Sequence, residues 1–297
     1  MSRIDEALNR TSRTAGKTSS PKRHTPGVPV ENYTEEAPQR EWPRETGRIA
    51  VDKDRGQLPR PLPQRGHETG QPPPESSARL VSSTADFVGV EQYRRLAASL
   101  HDAQTTQGLR VVTVTSALPR DGKTLTAVNL ALTLSESYSR RVLLIDADLR
   151  RPSVHQVLGI GNRTGLNEVL HHEVQELPLI TISPTLSVLT SGRSRSTPLA
   201  GLASQRMGTL LDDCAARFDW VLLDVPPVGL LADAQILGRL TGAVILVIRA
   251  GATPYALVER AIAQIGRESI IGTVLNGVED TSSYAKAYYD KYQRDQS

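Results

Sequence analysis

Beyond residue 110 the chain alternates short, continuous apolar runs with longer stretches whose apolar residues recur every three or four positions. The runs predict strands over Val111–Thr115, Val142–Asp146, Leu186–Thr190, Trp220–Asp224, Ala243–Ile248 and Ile271–Leu275. In them Val, Ile and Leu follow one another instead of alternating with polar residues, the pattern of strands covered on both faces. Helical periodicity falls near 123–138, 200–217, 230–240 and 254–267. Ahead of the first strand, Val90, Tyr93, Leu96, Ala97 and Leu100 recur at the spacing of one helix face. Strands alternating with helices predict an α/β domain, a doubly wound and mostly parallel sheet flanked by helices. The sequence contains no internal repeat.

Before residue 83 the texture differs. Residues 1–85 hold 11 of the 19 prolines, and a stretch such as PRPLPQRGHETGQPPPESS buries too little apolar surface to offset the entropy of ordering. The expected organisation is a disordered Pro/Arg/Glu-rich arm over 1–82, a folded domain over 83–280 and a separate tail over 281–297. Ile4, Ala7 and Leu8 permit one short amphipathic turn in the arm. Residues 1–85 carry 14 Lys and Arg against 11 Asp and Glu, which accounts for the whole net charge of +3. The rest is balanced at 21 against 21, so the basicity does not point to a nucleic-acid-binding domain.

A single cysteine, Cys214, excludes a disulfide framework and a cysteine-rich metal site. The opening MSRIDEALNR has no apolar segment of the signal-peptide kind, and no run approaches the roughly 18 apolar residues that span a bilayer. The best candidate, Ala243 to Ile248, is of strand length and is followed by Arg249. The expectation is a cytoplasmic protein that meets a membrane only through a partner.

Strand 111-VVTVT-115 runs into 116-SALPRDGKTLTAVNLAL-132, where Gly122-Lys123-Thr124 closes a loop between a strand and a helix. Such a loop turns backbone N–H groups towards phosphates, brings Lys123 to the β/γ oxygens and offers the Thr124 hydroxyl to Mg²⁺. Ala117 stands where the general pattern GxxxxGK[ST] has its first glycine. Pro119, Arg120, Asp121, Gly122, Lys123, Thr124 and Leu125 form the candidate nucleotide-binding loop of a P-loop NTPase fold. A second motif, 143-LLIDADLRRP-152, ends a strand in Asp146-x-Asp148, and Asp224 ends another in 220-WVLLDVPPV-228. Each aspartate alone is compatible with loop capping. Three of them around one lysine make a metal–nucleotide constellation, with Asp224 in the position of a Walker B residue that holds the Mg²⁺ shell.

Taken with His155, Asp233, Asn276-Gly277 and a tyrosine-rich end, these motifs resemble the bacterial protein-tyrosine kinases of polysaccharide biosynthesis over about residues 86–292. The opening MSRIDEAL is similar to the subgroup linked to exosortase-associated exopolysaccharide clusters. The resemblance implies ATP and Mg²⁺ as cofactors, with Lys123 and Thr124 binding ATP·Mg²⁺ and Asn276 beside the nucleotide. It implies Thr124, Asp146 and Asp224 as metal residues, and Asp146 or Asp148 as the acceptor of the tyrosine proton, Asp148 being preferred. Tyr284, Tyr288, Tyr289 and Tyr292, four of the eight tyrosines, lie within the last 14 residues and would be the autophosphorylation sites. Tyr284, Tyr288 and Tyr292 also share one helix face, so a packed terminal helix is the competing reading.

Glu91 and Arg94 resemble two positions of the family's E-x2-R-x2-R helix, which joins subunits into a ring; the third position is Ala97, with Arg95 out of register. Arg120 stands where the family has glycine. Some members fuse two membrane helices and a periplasmic segment to the kinase. Their absence here implies a separate membrane-anchored activator of the chain-length co-polymerase type, and self-association for phosphorylation in trans. Two other classes compete: an ATPase switch of the partitioning type, whose signature lysine is replaced here by Leu118, and a nucleotide-binding scaffold with little catalysis.

Overall fold

The computed structural model describes residues 87–194, 198–229 and 232–278. The arm over 1–82 and the tyrosines of 281–297 lie outside the described residues. In chain order the elements are α1 (Phe87–Gln107), β1 (Val111–Ser116), α2 (Lys123–Ser137), β2 (Val142–Asp146), α3 (Val154–Leu158), α4 (Leu166–Leu170), β3 (Ile180–Ser183), β4 (Leu186–Leu189), α5 (Pro198–Leu202), α6 (Gln205–Arg217), β5 (Trp220–Asp224), α7 (Ala232–Thr241), β6 (Val244–Arg249), α8 (Tyr255–Ile265) and β7 (Ile270–Asn276).

The seven strands form one sheet in the order β3-β4-β2-β5-β1-β6-β7. All neighbours are parallel except β3, which runs antiparallel to β4 at the edge. β1, β2 and β5 are buried along their whole length, as their unbroken apolar runs require. Side chains leave a strand alternately to its two faces, which gives this sheet two cores. On one face Val112, Val114, Leu144 and Leu222 pack with Ala97 and Leu100 of α1, Leu130 and Leu134 of α2, and Val154 of α3. On the other, Leu143, Ile145, Val221 and Leu223 pack with α4, α6, α7 and α8 through residues such as Leu166, Met207, Leu237 and Ala261.

The six expected strands are present, and the short antiparallel β3 adds a seventh. Its sequence ITIS is four residues long and only partly covered, which leaves a weak apolar signal. The helix expected near 200–217 is divided into α5 and α6, and Ser204 precedes the second piece. The leading helix runs from Phe87 to Gln107, well beyond the 90–100 stretch that carried its periodicity. Among the described residues, no helix is long and apolar enough to cross a membrane.

Candidate active site

The sheet register builds the acidic half of the site. Asp146 and Asp224 are paired directly across β2 and β5, both at the strand ends and both fully buried. By alternation they share the face of Leu144 and Leu222, the face on which α2 lies. The next strand over, β1, delivers the loop that begins α2, so Lys123 and Thr124 arrive at the same two carboxylates. Lys123 Nζ lies 3.2 Å from Asp224 Oδ1 and 2.9 Å from Asp148 Oδ2. The Thr124 hydroxyl donates to Asp224 Oδ2 at 2.6 Å. Asp146 Oδ2 accepts the backbone N–H groups of Ser153 and Val154, each at 3.1 Å, and Asp148 Oδ1 accepts that of Arg151 at 3.0 Å.

Three buried carboxylates beside one ammonium cannot all keep ordinary acidity. Burial, reinforced by the Asp224 charge opposite, pushes Asp146 up to about 8 despite the Val154 N–H and Lys123. Burial also raises Asp224, although Lys123 and the Thr124 hydroxyl oppose the shift. Burial works to lower the Lys123 pKa, but the charges of Asp224 and Asp148 and their hydrogen bonds outweigh it, so the ammonium is held more firmly than usual.

The candidate phosphate loop is braced by its own and neighbouring side chains. Asp121 is buried, and its carboxylate accepts the Leu118 N–H at 2.9 Å and the Thr253 hydroxyl at 2.8 Å. The Asn276 side-chain amide donates to the Asp121 carbonyl at 2.8 Å. Asn276 therefore ties the loop to the end of β7. Gly122 has φ 101°, and a Cβ there would run into that same Asn276 amide, so glycine is required on both counts. Arg120 adopts φ 70°, the left-handed conformation for which the family glycine is suited, and its side chain is exposed. Pro119 is exposed, whereas Leu125 is half-buried.

Other residues of these motifs have different surroundings. Arg150 makes a two-pronged pair with buried Asp233, at 2.8 and 3.3 Å, which joins the acidic loop to the start of α7. Glu91 pairs along its own helix with Arg94 at 3.9 Å and Arg95 at 3.8 Å. Ala97 is fully buried against the core, so the third ring position of this helix faces inward. Two residues absent from the sequence reading enter the site or its support. Thr253 holds Asp121, and Ser153 places its hydroxyl 3.0 Å from that of Thr124.

The oxygen set suits a hard divalent cation. Asp146 Oδ1 is buried with no hydrogen-bond partner, a carboxylate oxygen left over by the protein's own groups. It belongs with Asp224 and the Thr124 hydroxyl to a set of few protein oxygens, the kind Mg²⁺ uses when waters and phosphates complete its shell. Among the described residues no group of three or more His, Cys, Asp or Glu forms a metal cage.

No family model matches the chain. It is 34% identical over 203 residues to the tyrosine-protein kinase YwqD of Bacillus subtilis, a match covering 67% of this chain and 85% of that protein. The chain belongs to the bacterial tyrosine-protein kinases. The tyrosine-protein kinase Wzc of Salmonella typhimurium is 32% identical over 228 residues, covering 74% of this chain but 31% of Wzc. This member of the family thus spans under a third of that longer relative. Among solved structures, the kinase domain of the Escherichia coli tyrosine kinase Etk superposes with a TM-score of 0.64 at 30% identity, covering 75% of this chain and 87% of that domain. Family and fold together make the chain a nucleotide-binding protein-tyrosine kinase.

Proposed function

We propose that this kinase transfers the γ-phosphoryl group of ATP to tyrosines 284, 288, 289 and 292 of a neighbouring copy, and that this autophosphorylation regulates exopolysaccharide synthesis or export. The observation that carries the reading is the convergence of Lys123, Thr124, Asp146, Asp148 and Asp224 on one end of the sheet. In the transfer, the tyrosine oxygen bonds to the γ-phosphorus, the bond to the bridging oxygen breaks, and ADP leaves with the electron pair. The phenolic proton, ordinarily lost only near pH ~10, goes to a carboxylate as the new bond forms. Asp148 takes that role: one of its oxygens is fixed by the Arg151 N–H, while the other lies 2.9 Å from Lys123 Nζ.

Lys123 supplies positive charge for the transferring group, and the loop around Gly122 presents backbone N–H groups to the phosphates. Asp146, Asp224 and Thr124 would hold Mg²⁺, which when bound neutralises charge on the β and γ oxygens. The protein's part is to align these groups before the tyrosine arrives. Each phosphate adds about −1.5 to −2 charges at neutral pH, so successive transfers would drive neighbouring tails apart. A membrane-anchored co-polymerase-type partner, whose cytoplasmic tail activates the kinase, would bring it to the inner face of the plasma membrane.

The test is phosphate mapping by mass spectrometry after incubation with ATP and Mg²⁺, with and without the cytoplasmic tail of such a partner. Lys123→Met and a chain ending at Asp280 serve as controls. Lys123-dependent phosphotyrosine within 284–292 is the expected result. ATP hydrolysis without phosphotyrosine, in the presence of a proven activator, would favour the ATPase-switch reading, and binding without turnover the scaffold.

A further inference from the structure

Ser153 stands at the N-cap position of α3, where a serine ordinarily turns its hydroxyl onto the first free N–H groups of the helix. Here it makes no such bond. Asp146 Oδ2 meanwhile accepts the N–H groups of Ser153 itself and of Val154, the first residue of α3. The Ser153 hydroxyl, released from the helix, lies instead 3.0 Å from Thr124 Oγ1. Thr124 has one proton and gives it to Asp224 Oδ2 at 2.6 Å. Between the two hydroxyls, therefore, Ser153 is the donor and Thr124 the acceptor. Thr124 Oγ1 also lies 3.3 Å from Lys123 Nζ.

We propose that Ser153 is a positioning residue for the divalent cation: its hydroxyl fixes the Thr124 rotamer while its backbone N–H fixes the Asp146 carboxylate. One residue thus sets two of the three oxygen donors assigned to Mg²⁺, one of them 29 residues away in sequence and the other 7. The orphaned Asp146 Oδ1 is the free end of the carboxylate that Ser153 and Val154 hold by its other oxygen. Partners that orient metal-binding groups in this way set affinity nearly as strongly as the groups themselves. Ser153 does not touch the reacting atoms in this scheme; it acts through Thr124 and Asp146. The inference rests on the Mg²⁺-dependent nucleotide site of the preceding section.

The experiment measures binding of a fluorescent ADP analogue to the full chain, with excess Mg²⁺ and with EDTA, for the wild type, Ser153→Ala and Ser153→Thr. The quantity read is the gain in affinity that Mg²⁺ confers. Ser153→Ala is expected to reduce that gain about tenfold while leaving the affinity in EDTA unchanged. Ser153→Thr, which keeps a hydroxyl, is expected to restore it. A Ser153→Ala chain with the full wild-type gain overturns the proposal. So does one that weakens binding equally with and without Mg²⁺, because that is the signature of general damage to the site. A wild-type chain that gains nothing from Mg²⁺ sinks the underlying nucleotide reading instead. The melting temperature of each variant shows whether it is folded.

Discussion

Lys123 Nζ lies 2.9 Å from Asp148 Oδ2, so the lysine assigned to the phosphates here grips the carboxylate assigned to the tyrosine proton. The same ammonium reaches Asp224, and both carboxylates are buried. Lys123→Met removes the cation and leaves them facing each other with Asp146. Breaking a buried pair in this way costs about 3–5 kcal/mol, and protonation of the carboxylates limits the loss. The variant is expected to unfold at lower urea concentration, most markedly at alkaline pH, and to make phosphotyrosine at least about 100-fold more slowly.

Asp146 gives the nucleotide-free protein a pH dependence of definite sign. Its carboxyl titrates near ~3.9 in an unfolded chain and is pushed up to about 8 in the fold. The native state holds this proton more tightly, so the contribution is complete below pH ~4 and is lost as pH rises towards 8. Thermal unfolding of the nucleotide-free protein across that window should show the decline, and Asp146→Asn should flatten it. Cation binding requires the carboxylate, so Mg²⁺ should release a proton when it binds below pH 8. Calorimetry in two buffers of different ionisation enthalpy measures that proton.

Arg120 occupies the left-handed region at φ 70°. A non-glycine residue there is strained by about 1–2 kcal/mol, part of which glycine recovers before its own greater unfolded-state entropy is counted. Arg120→Gly is therefore expected to stabilise the protein by up to about 1 kcal/mol. Urea denaturation checks it, and an unchanged or lower midpoint would contradict the strain argument.

Gly122 and Asn276 form a steric pair. A Cβ at 122 meets the Asn276 amide, and φ 101° independently disfavours any L side chain. Gly122→Ala is expected to abolish ADP binding. Asn276→Ala removes the obstacle and also the 2.8 Å bond to the Asp121 carbonyl, so alone it should weaken binding moderately. In the double variant the clash is gone while the strain persists, and only partial recovery over Gly122→Ala is expected.

The sheet was readable because its central strands are fully buried. In β1, β2 and β5 nearly every residue must be apolar, and an aspartate closing such a run stands out. Of the candidate site, Asp146 and Asp224 were readable for the same reason, and Lys123 and Thr124 from the GKT loop between β1 and α2. The five-residue helices α3 and α4 were missed because one turn of helix carries no periodicity of its own. Ser153 and Thr253 were missed for a different reason. Their partners, Thr124 and Asp121, are 29 and 132 residues away, and only the strand order brings them together. Ser153 ahead of Val154 and Val157 did carry an N-cap signal, but that signal predicts a side-chain bond to α3 that the fold does not make, the hydroxyl lying against Thr124 instead. Ala97 shows the reverse. Its departure from the ring motif is plain in the sequence, and its burial against the sheet supplies the physical counterpart.

The central claim is transfer from one copy to the tyrosines of another, and a mixing experiment tests it most directly. The donor is a chain with Tyr284, Tyr288, Tyr289 and Tyr292 all replaced by Phe. The acceptor is a full chain carrying Lys123→Met, distinguished by mass. Both are incubated with ATP, Mg²⁺ and the activating tail, and phosphate is mapped on each. The account predicts phosphotyrosine within 284–292 of the acceptor, with none when either chain is incubated alone. ATP consumption by the donor with no phosphotyrosine on the acceptor would contradict it.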